Sequence, residues 1–169
     1  MKARRSLPVY TVFVVVAGII GVIVSTVFLA QSLAALGIPD PGPATTAGLP
    51  FFRAAGLMLA CLGVGNYLLA AFFIHPQERT ELPTTRLTVD GAIAVRSGSW
   101  AMLAWALIAA FMIPLYLSDV SGEPLTKTLQ PAMWPVAIDQ VSTSLAFEWV
   151  AIFAFITGAA GLVVRRWLP

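Results

Sequence analysis

Residues 51–76 read FFRAAGLMLACLGVGNYLLAAFFIHP, an arginine at position 53 followed by an uncharged apolar run from Ala54 to Ile74. A hydrocarbon core about 30 Å thick needs about 20 apolar residues at about 1.5 Å rise each, so this stretch alone has the length of a membrane-spanning helix. Three more runs resemble it. One is uncharged from Ser6 to Pro39, with its helical part starting after Pro8 and fading by Gly37, and another lies between Arg96 and Asp119. The last, Trp149 to Val164, covers only roughly 24 Å at helical rise. It spans only if Gln140 to Phe147 and Glu148 join it, which places Glu148 in the outer part of that helix. These runs predict an all-α polytopic membrane protein, a four-transmembrane-helix bundle forming one domain over 1–169, with helices at about 9–36, 51–74, 97–118 and 140–164.

Composition agrees: 59% of the 169 residues are hydrophobic and 11% charged, with a mean hydropathy of +0.87. That leaves too little polar surface to coat a soluble domain. The formal excess is only +2, and the basic residues flank apolar runs rather than forming a patch, so a nucleic-acid partner is not expected. The bilayer is the expected partner. The single cysteine, Cys61, excludes an intrachain disulfide and a CxxC or CxxCH motif.

Lysine and arginine placement sets the orientation. Lys2, Arg4 and Arg5 precede the first helix, Arg79, Arg86 and Arg96 lie between the second and third, and Arg165 and Arg166 follow the fourth. The opposite side holds Lys127, with Arg53 at the membrane's edge. The positive-inside rule therefore puts both termini and the 75–96 loop in the cytoplasm, and the 37–50 and 119–139 loops outside. The basic start resembles a signal peptide, but the apolar stretch behind it far exceeds an h-region of 7–15 residues, so a retained anchor helix is expected. Leu87 to Val95 is moderately apolar and is expected to rest on the membrane surface, as is the segment Gln130 to Pro135. Small residues on the first, second and fourth helices, among them Gly18, Gly21, Gly56, Gly63, Gly158 and Gly161, predict close helix packing. Trp100, Trp134 and Trp167 fall at the interfaces.

Charge reaches membrane depth at two points, Arg53 and Glu148. On insertion scales such a charge costs roughly 2.5–3.5 kcal/mol, so it usually has a partner or lines a polar pathway. The simplest expectation is an intramembrane Arg53–Glu148 pair, with Asp139 as an alternative partner for Arg53. Counting about 1.5 Å per residue from the cytoplasmic flanks puts Arg53 about 33 Å from His75, Met58 and Glu148 at about 25 Å and Met112 at about 24 Å. Met58, Cys61 and Met112 then form a candidate soft-metal site, since Met58 and Cys61 share a helix face and thiolate and thioether ligands select Cu(I). Methionine and cysteine also fill apolar cores without any ligand. Asn66, mid-helix, is expected to bond across helices. His75, the only histidine, rules out bis-His haem ligation within the chain and suits either a solvated interface or a metal-exit role. Phosphate loops, Ser/His/Asp sets and paired catalytic carboxylates are absent from the sequence, so an enzyme is not expected.

Three stretches carry a family resemblance: GLPFFRAAGL (48–57), VGNYLLAAFF (64–73), and Trp105 through the loop SDVSGEPL (118–125). They resemble the amino-terminal membrane portion of the actinobacterial CopD family (copper resistance protein D), often fused to a CtaG-like cytochrome c oxidase assembly domain. The resemblance covers most of the chain. It implies a copper-handling protein of the bacterial inner membrane, one that moves copper across the bilayer or supplies it to cytochrome c oxidase. Family members continue with further helices, whereas this sequence stops at Arg165-Arg166-Trp167-Leu168-Pro169. Partners are thus expected among oxidase or other membrane subunits, or in further helices of a longer chain. The alternatives are a non-catalytic subunit or assembly factor without its own metal, and a small ion or proton carrier using Glu148.

Overall fold

The computed structural model describes residues 6–35, 41–74 and 88–164, and among them every regular element is helical. α1 spans Ser6–Ala35. α2 spans Pro43–Leu68 and continues as a five-residue π turn, Leu69–Phe73. α3 spans Val89–Ser121, α4 Leu125–Thr128, α5 Trp134–Gln140 and α6 Ser142–Val163, with a 3₁₀ turn at Pro131–Met133. Among the described residues four stretches are long and apolar enough to cross a membrane: within α1, along α2 with its π turn, along α3 and along α6. The chain is thus an all-α, multi-pass membrane protein of four spanning helices.

Two helix starts differ from the expected ones, each for a local reason. α2 begins at Pro43 rather than Phe51. Gly42, at φ 93°, turns the chain and accepts hydrogen bonds from the amides of Thr45 and Thr46. Pro43 then occupies a first-turn position where a missing N–H costs nothing. α3 begins at Val89, so residues 89–95 open a spanning helix and do not form a separate surface segment. Thr88 caps it, its Oγ1 accepting from the Gly91 amide at 3.2 Å, and Asp90 lies in the first turn, where an anion suits the helix dipole. At the other end Gly122 adopts the left-handed conformation, φ 67°, and its N–H returns to the Ser118 carbonyl. The Ser118–Leu125 loop is therefore a C-cap. Ser118 Oγ donates to the Glu123 carbonyl at 2.6 Å, and Lys127 pairs with Glu123.

The long helices pack in series: α1 on α2, α2 on α3, α3 on α6, with α5 laid against α3 and α6. α3 is the hub, half of its span buried, whereas α1 touches little beyond α2. The α2–α3 register is antiparallel and regular. Thr45 meets Ser118, Gly48 faces Leu115, Phe52 packs edge-on against Phe111, Gly56 faces Ile108 and Trp105, and Gly63 faces Met102. Since Ser118 directs its own proton to Glu123, Thr45 is the donor in the 2.7 Å Thr45–Ser118 bond.

At the end that the basic residues assign to the cytoplasm, α2, α3 and α6 converge on one point. Ser99 Oγ donates to the Val95 carbonyl at 2.7 Å, leaving its oxygen open to the Tyr67 hydroxyl at 3.1 Å. The same Tyr67 hydroxyl lies 3.2 Å from the Thr157 carbonyl on α6, so its single proton is shared between the Ser99 oxygen and that carbonyl. Gly158 and Gly161 bring α6 close enough for this. A Cβ on Gly161 would overlap Ser99 Oγ and come to 2.6 Å from the Tyr67 oxygen.

The substitution Gly161→Ala is expected to destabilise the protein by about 1–3 kcal/mol through overpacking. Gly65→Ala, where an added Cβ meets open space, should instead be neutral or stabilising by up to about 1 kcal/mol from helix propensity. Unfolding of the two variants in one detergent, followed by circular dichroism, checks the contrast.

Candidate functional site: a groove between α1 and α6

The faces of α2 decide the geometry of the sulfur candidates. Phe51 packs on Gly18 of α1, and Pro50 and Ala54 lie against Gly21. Met58 follows Ala54 by four residues and Phe51 by seven, and Cys61 follows Ala54 by seven, so both lie on the α2 side that carries the α1 contacts. The two share that side of the helix, and Cys61 is exposed there. Met112 is fully buried in α3, beyond the opposite side of α2. The register also separates them along the axis. Met58 falls between Gly56, which faces Trp105, and Gly63, which faces Met102, so Met112 lies about 9 Å from its level and about 13 Å from that of Cys61. The structure does not bring the three sulfurs together.

The two membrane-depth charges behave differently. Arg53 follows Phe52, whose ring meets Phe111 at 5.0 Å between centroids. Glu148 lies one turn beyond Ser144, whose hydroxyl donates to the Ile113 carbonyl at 3.3 Å. Both therefore stand in the layer of residues 109–111, rather than in neighbouring layers. Even so they do not pair: Lys127–Glu123 is the only ion pair among the described residues.

The reason is a groove of about 580 Å³ that Arg53 lines and Glu148 does not. Its floor is the α2–α3 seam, at Gly56 and Trp105, and its walls include Gly21 of α1 and Phe147 and Val150 of α6. At about 100° per helical residue, Glu148 points about 100° from Phe147 and about 160° from Val150. Arg53 and Glu148 thus occupy opposite flanks of the α3–α6 seam. Arg53 is exposed, Glu148 half-buried.

The remaining candidates scatter. Asn66 donates from Nδ2 to the Leu62 carbonyl of its own helix at 2.7 Å rather than across helices. Asp139 lies exposed on α5, and His75 lies outside the described residues. Among the described residues no three His, Cys, Asp or Glu side chains converge as a metal site. The buried stripe of α3 between Ser99 and Ile113 consists of Met102, Ala106, Ala109 and Met112, which offers no polar relay between the Ser99 and Ser144 hydroxyls. The groove, the Thr45–Ser118 bond and the Tyr67–Ser99 contact were not legible in the sequence. The signal for the last two was a hydroxyl on each of two apolar helices at matching antiparallel positions.

No protein-family model, no curated protein and no solved structure matches this chain.

Because Arg53 and Glu148 share a layer but not a contact, their effects on stability should add. In a double-mutant cycle of Arg53→Gln and Glu148→Gln, the coupling is expected within about 0.5 kcal/mol of zero. A directly paired couple in a bundle interior would show more than that.

Proposed function

We propose that this chain is a helical module of a copper-handling assembly in the bacterial plasma membrane. In this reading the copper ion is cargo, moved across the bilayer or passed to cytochrome c oxidase. The carrying observation is the common face of Met58 and Cys61, one turn apart on α2 with the cysteine exposed. A thioether and a thiolate at that spacing offer a soft two-sulfur surface of the kind that selects Cu(I) over harder cations. The resemblance of residues 48–57, 64–73 and 105–125 to the CopD family points the same way. Because Met112 faces elsewhere, any further ligand would come from outside the described helices, from a second subunit or from additional helices of a longer chain.

A second reading, a non-catalytic subunit or assembly factor without its own metal, is favoured by one feature. Among the described residues the serial packing leaves α1 with few contacts beyond α2, which offers much of its surface to lipid or to another subunit. The small residues do not serve this purpose: Gly18, Gly21, Gly56, Gly63, Gly158 and Gly161 all lie against side chains or backbone of this same chain. The carrier reading through Glu148 gains no support from the apolar stripe of α3.

Cu(I) titration of the purified protein under reducing conditions separates the readings. Met58→Leu and Cys61→Ser are each expected to weaken binding by at least tenfold, whereas Met112→Leu should leave it unchanged and cost less than about 1.5 kcal/mol of stability. Full binding in the Met58→Leu/Cys61→Ser double variant would sink the two-sulfur reading. Co-purification with oxidase subunits in the absence of bound copper would favour the second.

A further inference from the structure

We infer that the groove is a binding site for one anionic phospholipid, with Arg53 holding its phosphate and the apolar walls holding an acyl chain. The first ground is charge. Arg53 is the one charged residue of α2, α1 contains none, and α3 has none between Arg96 and Asp119. Glu148, the only charge on α6, faces the opposite flank. A guanidinium with five donors and no acceptor among the described residues, set in an apolar groove, is complementary to a phosphodiester, which it binds through paired hydrogen bonds.

Depth is the second ground. Arg53 lies eight residues below Thr45, about 12 Å along the helix. α2 with its π turn and α3, at 31 and 33 residues, are both longer than a hydrocarbon core about 30 Å thick. The Thr45–Ser118 layer therefore stands toward the headgroup region, and position 53 lies near enough below it for an arginine side chain to reach the phosphate–acyl boundary.

Shape is the third. At about 580 Å³ the groove is within the range of small-molecule sites, roughly 300–1,000 Å³. A second protein helix is the competing occupant, but its backbone would need small residues to approach. The two glycines of the groove are already occupied: Gly21 lies against Pro50 and Ala54, and Gly56 against Ile108 and Trp105. A flexible chain running down past Trp105 fits walls that a rigid helix does not.

This inference is independent of copper: Arg53 and the Met58/Cys61 face are separate surfaces of α2, so either reading can fail alone. The test uses the whole chain in detergent with phosphatidylglycerol and phosphatidylcholine as probes, read by native mass spectrometry. The wild type should retain one phosphatidylglycerol with a roughly five- to tenfold preference over phosphatidylcholine. Arg53→Gln should abolish the preference while keeping the helical circular dichroism of the wild type, and Arg53→Lys should keep part of it. In a parallel measurement, phosphatidylglycerol with brominated acyl chains should quench the fluorescence component that Trp105→Phe removes, and should do so less in Arg53→Gln. An undiminished preference in Arg53→Gln, equal retention of phosphatidylcholine by the wild type, unquenched Trp105 or a tightly held partner protein in place of lipid would each overturn the assignment.

Discussion

The contact on which the rest of the structure depends is the meeting of Tyr67, Ser99 and Gly161. Inside a bilayer, helices gain little by hiding apolar surface from one another, because lipid is equally apolar. Association therefore rests on close packing and on hydrogen bonds that water cannot replace. Here both occur at one point. Gly161 lets the α6 backbone approach, and the Tyr67 hydroxyl then reaches Ser99 on α3 and the Thr157 carbonyl on α6. This is the place where α2 and α6, which share few contacts elsewhere, are tied to each other through α3. Farther along the helices, Phe147 and Val150 of α6 line the same groove as Arg53 and Gly56 of α2, with Trp105 of α3 at its floor.

The rotation of α6 explains how two opposite charges in one layer can fail to pair. α3 stands between α2 and α6 as their common neighbour. Phe147 turns into the groove and toward Tyr116, on which it stacks at 5.4 Å between centroids, and this fixes the rotation of α6. With Phe147 and Val150 committed to the groove, Glu148 must face away. The packing of an aromatic ring thus decides the electrostatics of a carboxylate one residue along.

Much of the fold was legible because the bilayer imposes it: a helix must satisfy its own backbone and present some 20 apolar residues, and both requirements are written in local sequence. Helix ends were less so. The extension of α2 to Pro43 depends on Gly42 taking a positive φ, and the start of α3 depends on Thr88 serving as cap. The site was least legible. Counting from the basic flanks assumed that His75 and Arg96 stand at one level, but the Gly63–Met102 and Gly98–Asn66 contacts show α2 running past that level before it ends. The error displaced Met58 by about 9 Å relative to Met112. Which way a side chain points around its helix is likewise set by which neighbour it meets. Met58 faces α1 because Phe51 and Ala54 do, and nothing local to Met58 encodes that.

The serial order of packing also bears on biogenesis. As the chain emerges, α2 finds α1 already in place, α3 finds α2, and α6 finds α3, so each spanning helix docks on the one made just before it. No segment has to wait in the bilayer for a distant partner, and the contacts closed at each step are short in sequence. The hub is the third of these helices to arrive, and the fourth, α6, delivers Gly161 to the site that Tyr67 and Ser99 have by then prepared. Insertion and packing of these four helices can in this way proceed together as one vectorial process.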